Sequence, residues 1–202
     1  MRTYKCRFGK RAIAVIVVLM TSVSGQINAQ VWDGGSSSNN WSIGLNWDGD
    51  FVPANNSTAN VTIGAPAPAV LNVNANLNSL TVEADGVLNF NPSVNLDFIG
   101  GSAANSLTNF GTITTGNNTD LQLHLLVMNS GEINVVSTGS ATDLEVTALG
   151  AELDGGGFIT LGGTAAARIN GVSNPSLTII DQTIQGFGQI GVNSISIDNQ
   201  AI

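Results

Sequence analysis

The sequence predicts an all-β fold, and within that class it favours a β-solenoid. Three observations predict this fold. Apolar and polar residues alternate along short segments, no ten-residue stretch carries a helical apolar stripe, and a glycine-containing motif recurs along the chain. Only 10% of the residues are charged, and Gly, Asn, Ser and Thr are abundant. We therefore expect almost no helix and many short strands joined by turns.

Residues 1–29 predict a secretory signal peptide. Five of the six basic residues precede position 12, and an apolar run from Ala12 to Met20 follows them. This run is shorter than the roughly twenty apolar residues that a membrane-spanning helix needs. We expect cleavage after Ala29, with Gly25 as the competing position, and no membrane span in the mature chain. Residues 30–202 then have the size of one domain.

The charge distribution beyond the leader excludes several classes of protein. Arg168 is the one basic residue there, and it stands against all 14 acidic residues. A nucleic-acid partner is excluded, because phosphates are held by clustered Lys and Arg side chains. The single cysteine, Cys6, lies in the leader, so disulfides and cysteine metal sites are excluded from the mature chain. We expect no metal and no cofactor.

Three segments alternate with the period of a half-buried strand: Leu71–Leu77, Leu121–Leu125 and Leu177–Ile179. In the second segment, His124 falls on the outward face, where a lone histidine is a surface residue rather than a catalyst. Leu126 and Met128 fall on the same face if the alternation continues. Apolar residues there suggest a lateral contact or a covering loop.

A seven-residue motif recurs, with an apolar first residue, Asn or a small third residue, Gly at the fifth position and Ile or Leu at the seventh. Its copies are Val82–Leu88, Leu107–Ile113, Val127–Ile133, Leu153–Ile159 and Ile184–Ile190, with an incomplete copy at Ile197–Ile202. The glycines are Gly86, Gly111, Gly131, Gly157 and Gly188, with Ala201 last, at separations of 25, 20, 26, 31 and 13 residues.

We interpret the motif as a corner, where one strand ends, the chain turns through Gly or Asn at positive φ, and the next strand begins. Stacked coils of this kind predict a solenoid over residues 66–202, preceded by a capping segment at residues 30–65 that is rich in Trp and Asn. The alternative is a β-sandwich, whose hairpin turns also use Asn and Gly.

The copies LTNFGTI and VMNSGEI, together with the segment TIQGFGQIGVNSISIDNQAI, resemble repeats of large bacterial surface and secreted proteins. These are of the filamentous-haemagglutinin and autotransporter-passenger kind. The opening from Val31 to Ile63, with its W-x-G-G and two N-W sequences, is similar to the segment that often precedes such repeats. The resemblance implies a right-handed parallel β-helix on the cell exterior with an adhesive or structural role.

The chain departs from those relatives at its C-terminal end. They are commonly far longer and end in a translocation barrel or a sorting signal, and Ile202 lies inside a corner motif. We expect the chain to be the N-terminal part of a longer protein. If Ile202 is its true end, we expect self-association through the uncapped edge.

The three tryptophans of the chain, Trp32, Trp41 and Trp47, fall within sixteen positions and are the candidate ligand-binding residues. Exposed indole faces would stack on sugar rings, whereas buried ones would plug the end of the solenoid, and we favour the plug. Asp48 and Asp50 come closest to a calcium-ligand spacing, but the later carboxylates of a calcium loop are missing.

We expect a non-catalytic structural or adhesive protein that is secreted or held at the cell surface, with glycans or other surface proteins as partners. Variable loops, such as residues 139–148 and 165–175, would carry any binding surface. One alternative is a carbohydrate-binding module that uses the tryptophans. A second is a β-helix enzyme that degrades polysaccharides, for which two or three Asp or Glu residues would have to meet in one groove.

Overall fold

The computed structural model describes residues 29–99 and 106–201, and the structural statements below refer to these residues. Most of the predicted signal peptide and Ile202 lie outside them. The expected all-β class is confirmed, since one 3₁₀ turn at Gly44–Asn46 is the only helical element in this part of the chain. No helix among the described residues is long and apolar enough to cross a membrane.

Eighteen strands follow one another along the described chain. In order they are β1 (Ala29–Val31), β2 (Asn60–Ile63), β3 (Ala69–Leu71), β4 (Ala75–Leu77), β5 (Ser79–Val82), β6 (Val87–Phe90), β7 (Leu96–Phe98), β8 (Leu107–Asn109), β9 (Thr112–Thr115), β10 (Asp120–Asn129), β11 (Glu132–Val136), β12 (Thr142–Asp154), β13 (Phe158–Gly162), β14 (Ala167–Gly171), β15 (Ser176–Ile179), β16 (Thr183–Gly186), β17 (Gln189–Ile190) and β18 (Ser196–Asn199).

The strands pair in parallel to form three ladders. The first ladder runs β1-β2-β5-β8-β10-β12-β15-β18 through the C-terminal halves of β10 and β12. The second ladder runs β3-β6-β9-β11-β13-β16. The third ladder runs β4-β7-β10-β12-β14-β17 through the N-terminal halves of β10 and β12. Because β10 and β12 belong to two ladders, the first and third form one twelve-stranded sheet.

This pairing disagrees with the β-sandwich alternative, whose sheets are antiparallel. Among the described residues, all paired strands are parallel, and the one antiparallel pairing is an isolated bridge between Trp32 and Trp47. The first ladder also crosses the expected boundary at residue 65, because β2 in the capping segment pairs with β5 in the repeats. The capping segment therefore supplies strands to the same sheet that the repeats extend.

Each ladder places one apolar column in the core. The second ladder shows the principle, since Leu88 pairs with Ile113, Ile113 with Ile133 and Ile133 with Ile159, and all four side chains are fully buried. In the first ladder the aligned buried residues are Val61, Leu80, Leu107, Val127, Leu153 and Ile179. In the third ladder they are Ala75, Leu96, Leu121, Leu144 and Ile169, and the column ends at Ile190, which is exposed. Burial of these aligned columns is the main apolar stabilisation of the fold.

One predicted strand and two predicted loops differ from the structure. Leu71–Leu77 is two strands, β3 and β4, with a bend between them, and Val73 is exposed rather than buried. The expected loop at residues 139–148 is mostly strand, since β12 begins at Thr142, and the expected loop at residues 165–175 contains strand β14, Ala167–Gly171. The prediction for Leu177–Ile179 is confirmed, because both end residues are buried in β15.

Four of the five motif glycines form one column at the corner between the first and second ladders. A Cβ atom added at Gly111 would overlap the carbonyl oxygen of Gly86, and one at Gly131 would overlap that of Gly111. At Gly157 an added Cβ would lie 2.5 Å from the carbonyl oxygen of Gly131. The separations of 25, 20 and 26 residues are therefore the lengths of chain between successive strands of one ladder, and we call each such length a coil.

Gly188 does not belong to this glycine column, which corrects the expected series. Its motif copy lies between β16 and β17, at the corner between the second and third ladders. The residue that follows Gly157 in the column is Gln182, because Phe158 pairs with Thr183. The separations of 31 and 13 residues are not coil lengths.

The physical role that we assigned to these glycines also needs correction. None of the five motif glycines has a positive φ; Gly155 and Gly156, beside Gly157, do. The glycines of the column are required because the carbonyl group of the preceding coil occupies the space of a side chain.

Candidate functional site

The outer face of the third ladder brings acidic residues from distant parts of the sequence together. Asp120 on β10 pairs with Asp143 on β12, and Asp143 pairs with Arg168 on β14. Glu145 lies two residues beyond Asp143 on the same strand, and Asp97 lies on the neighbouring strand β7. We call Asp97, Asp120, Asp143, Glu145 and Arg168 the acidic ladder.

Asp143 and Arg168 form the ion pair of this ladder. Nε of Arg168 donates to Oδ1 of Asp143 at 2.6 Å, and Nη2 donates to Oδ2 at 2.6 Å. Asn170 on the same strand donates from Nδ2 to Oδ2 of Asp143 at 3.3 Å. The hydrogen bonds that Arg168 donates to Asp143 raise the pKa of Arg168 above its ordinary value. This bidentate pair stabilises a carboxylate whose side chain is only 7% exposed.

The other three carboxyl groups lack such a partner and hold their protons more tightly than usual. Burial raises the pKa of Asp97. Burial is also the largest cause of the raised pKa of Asp120, and the charges of Asp143 and Asp97 raise it further. The pKa of Glu145 is raised by burial and then by Asp120, Asp143 and Asp97. The face therefore combines one carboxyl group that is paired with an arginine and three carboxyl groups that resist ionisation.

This arrangement has the chemical groups for acid–base work. A carboxyl group with a raised pKa can donate a proton to a leaving oxygen, and an ionised neighbour can orient water. Within the described residues, no group of three or more His, Cys, Asp or Glu side chains is placed to hold a metal ion. Sequence reasoning missed the ladder, because its members are joined only by strand register.

The tryptophan cluster lies inside the protein. Trp32, Trp41 and Trp47 are 1%, 2% and 0% exposed. Trp47 packs edge-to-face against both others, with ring centroids 5.1 Å from Trp32 and 4.6 Å from Trp41. Nε1 of Trp32 donates to the carbonyl of Ala67, and Nε1 of Trp47 donates to that of Trp41, both at 2.8 Å. Such burial favours the plug, whereas sugar stacking requires exposed indole faces.

His124 is not a surface residue, which corrects the expectation. It is 5% exposed, because β10 bends at Leu125, whose φ is 55°, and the register with β12 shifts there. Nδ1 of His124 lies 3.0 Å from Oγ1 of Thr147, and Nε2 has no hydrogen-bond partner among the described residues. Burial lowers the pKa of His124. Burial therefore favours the neutral form of the ring.

Leu126 and Met128 lie on the outward face after this bend and are half-buried. Leu126 lines an open groove of about 470 Å³ with Leu125 and Leu149, and Leu149 is 65% exposed. The groove lies where residues 147–150 of β12 bulge out between the third and first ladders. An apolar outer surface therefore exists at the expected position.

A buried chain of amides lies under the glycine column, and sequence reasoning did not identify it. Nδ2 of Asn109 donates to Oδ1 of Asn129 at 2.7 Å, and Nδ2 of Asn129 donates to Oε1 of Gln182 at 2.7 Å. Nε2 of Gln182 donates in turn to the carbonyl of Asn129 at 2.8 Å. The third position of the motif was the available signal, since Asn109 and Asn129 both occupy it.

Comparison with known proteins adds no relative. No protein-family model matches the chain, and no curated protein and no solved structure matches it.

Proposed function

We propose that this chain is an exported β-solenoid that serves as a structural or adhesive scaffold at the cell surface or outside the cell. In this proposal the three parallel ladders are the faces of a right-handed β-helix, and residues 1–29 direct export. The observation that carries the proposal is the alignment of one buried apolar column per ladder through successive coils. Such stacking produces a stiff rod that each further coil lengthens.

The outer surface supports the same role. Outward positions of the ladders carry short polar residues, such as Asn76, Thr114 and Asn134, and these pair along the stack. A sparse charge of mainly one sign keeps a rod of this kind soluble. The similarity of the motif copies to filamentous-haemagglutinin and autotransporter-passenger repeats gives further support, since those proteins lie on the cell exterior.

The test is to locate the native protein by protease shaving of intact cells, analysis of the culture medium and mass spectrometry of its first residue. We expect surface-exposed or released protein that begins at Gln30. Protein that stays inside the cell and retains Met1 would contradict export.

A second candidate function is hydrolysis of a polysaccharide at the acidic ladder. The observation that favours it is the raised pKa of Asp97, Asp120 and Glu145 beside the Asp143–Arg168 pair. The test is the release of reducing sugar from a panel of polysaccharides, with Glu145→Gln and Asp120→Asn as variants. Equal product from wild type and both variants would assign the activity elsewhere.

A further inference from the structure

A groove with a volume of about 430 Å³ crosses the corner between the first and second ladders. Gly111 and Gly131 of the glycine column line it, and neither carries a side chain that could cover the groove. Phe110 and Phe158 line it, and their side chains are 51% and 48% exposed although most large apolar residues of the corner are buried. We call this feature the phenylalanine groove.

The two rings lie on opposite sides of the glycine column and at different heights. Phe110 precedes Gly111, and Phe158 follows Gly157. Phe158 pairs with Glu132, and Glu132 pairs with Thr112 of the coil that contains Phe110. Their coils are therefore two strand spacings apart, or about 10 Å along the stack. An extended ligand would meet one ring near each end of the groove.

Polar groups lie between the rings. Thr112, Ser130 and Glu132 line the groove, and their side-chain oxygens make no hydrogen bond within residues 29–99 and 106–201. Gln185 also lines it and donates from Nε2 to Oγ1 of Thr160 at 3.2 Å. The groove thus offers hydroxyl and carboxylate acceptors beside two apolar ring faces.

The backbone of the groove is already paired. The amide nitrogens of Thr112, Glu132 and Phe158 donate to the carbonyls of Gly86, Gly111 and Gly131 at 3.0, 2.9 and 2.9 Å. An extended peptide gains much of its affinity by pairing with free backbone groups at a strand edge. These corner groups are not free, so the groove is poorly suited to strand addition.

We propose that the phenylalanine groove binds a neutral glycan, with a sugar ring on each phenylalanine and its hydroxyls on Thr112, Ser130 and Glu132. A pyranose has an apolar C–H face and a polar hydroxyl edge, which matches this combination of rings and oxygens. Glu132 is the one charged side chain on the groove, and no cation lines it, so acidic glycans are disfavoured. This inference rests on the proposed adhesive role and names its ligand class.

The test is affinity electrophoresis of the purified chain in gels that contain a neutral β-1,4-glucan, β-1,3-glucan or galactomannan, with polygalacturonate as the acidic comparison. We expect at least one neutral polysaccharide to retard the chain and polygalacturonate not to do so. Phe110→Ala combined with Phe158→Ala should weaken retardation at least tenfold. Phe158→Trp should preserve it, because a flat ring remains.

Phe187→Ala is the matched control, since Phe187 is 63% exposed and does not line this groove. It should bind like the wild type. Circular dichroism and Tm should be unchanged in the single alanine variants, because each ring is half exposed. Binding by the double variant at wild-type affinity, no retardation by any neutral polysaccharide, or selective retardation by polygalacturonate would overturn the inference. If the chain is exported but does not bind a neutral glycan, the glycan inference is wrong and the scaffold role remains supported. If the chain binds a glycan but stays inside the cell, only the scaffold role is contradicted.

Discussion

At Gly131, backbone atoms of the preceding coil occupy the space that a side chain would need. An added Cβ would overlap the carbonyl oxygen of Gly111 and lie 2.7 Å from the carbonyl carbon of Phe110. Because paired backbone cannot move aside without breaking the ladder, we expect Gly131→Ala to lower the free energy of unfolding by about 3 kcal/mol or more. Urea denaturation followed by circular dichroism measures this difference.

Gly162→Ala is the control for this prediction. Gly162 lies in β13, it has no positive φ, and the nearest atom to an added Cβ is the carbonyl oxygen of Val135 at 4.0 Å. Its alanine variant should stay within about 0.5 kcal/mol of the wild type. Equal losses in both variants would mean that close packing of the glycine column is not the cause.

Asn129 is the central member of the buried amide chain. Removing its side chain leaves Oε1 of Gln182 without its donor and Nδ2 of Asn109 without its best acceptor. We expect Asn129→Ala to cost about 2–4 kcal/mol of unfolding free energy, because unsatisfied buried amides keep their full desolvation cost. The control is Asn134→Ala, because the side-chain amide of Asn134 is half-buried and makes no hydrogen bond with the described residues. A similar loss in both variants would contradict a role for the amide chain.

These residues also show how far the sequence alone reaches. It predicts the corner column at Gly86, Gly111, Gly131 and Gly157, because local spacing marks both strand ends. It assigns Gly188 to the wrong corner, because three corners of a coil can carry the same local pattern and only register distinguishes them. The bend at Leu125 that buries His124 likewise depends on the partner strand, which is longer at that point.

At the scale of the strands, β10, β12 and β14 set the charges of the acidic ladder. No sequence rule joins Asp120, Asp143 and Arg168, because they are separated by whole coils whose lengths differ. Parallel register makes them neighbours. The alternation along each strand is visible in the sequence, but the identity of the cross-strand neighbours is not.

Glu145 on β12 gives this ladder a pH dependence. Burial and neighbouring carboxylates raise its pKa above the ordinary 4.5, so the folded state holds the proton more tightly than the unfolded state. Its contribution favours folding below pH 4.5 and is lost as the pH rises through the folded pKa. We expect Glu145→Gln to raise Tm at pH 7 and to change it little at pH 4. Thermal melts at both pH values test this.

The control is Glu152→Gln, since Glu152 is exposed on the same strand. Its Tm should change little at either pH. A Glu145→Gln variant whose Tm gain is the same at pH 4 and pH 7 would show that ionisation is not the cause.

Arg168 on β14 holds the buried charge of Asp143. Arg168→Met leaves that carboxylate, which is 7% exposed, without its cation, and we expect a loss of about 2–3 kcal/mol. Asp143→Asn added to Arg168→Met removes the unpaired charge and should recover part of the loss. Chemical denaturation of the four members of this cycle gives the coupling, and a double variant less stable than Arg168→Met would contradict it.

At the scale of the molecule, a stack of coils should tolerate the removal of one whole coil. Residues 112–131 form such a unit, because Thr112 pairs with Glu132 and Asn109 pairs with Asn129. Their deletion joins Gly111 to Glu132 in register and places Asn109 where Asn129 had met Gln182. We expect this variant to fold with the same circular dichroism shape and to unfold cooperatively. Its denaturant m-value should be smaller, since less surface is buried.

Deleting residues 112–121 removes half a coil and shifts all later strands to the wrong ladder. This variant should lose the cooperative transition, because its apolar columns can no longer align. The two deletions separate a true repeat from a sheet that merely contains parallel strands. If the half-coil deletion folds as well as the whole-coil deletion, the coil is not the structural unit, and the solenoid scaffold that the proposed function requires would have to be abandoned.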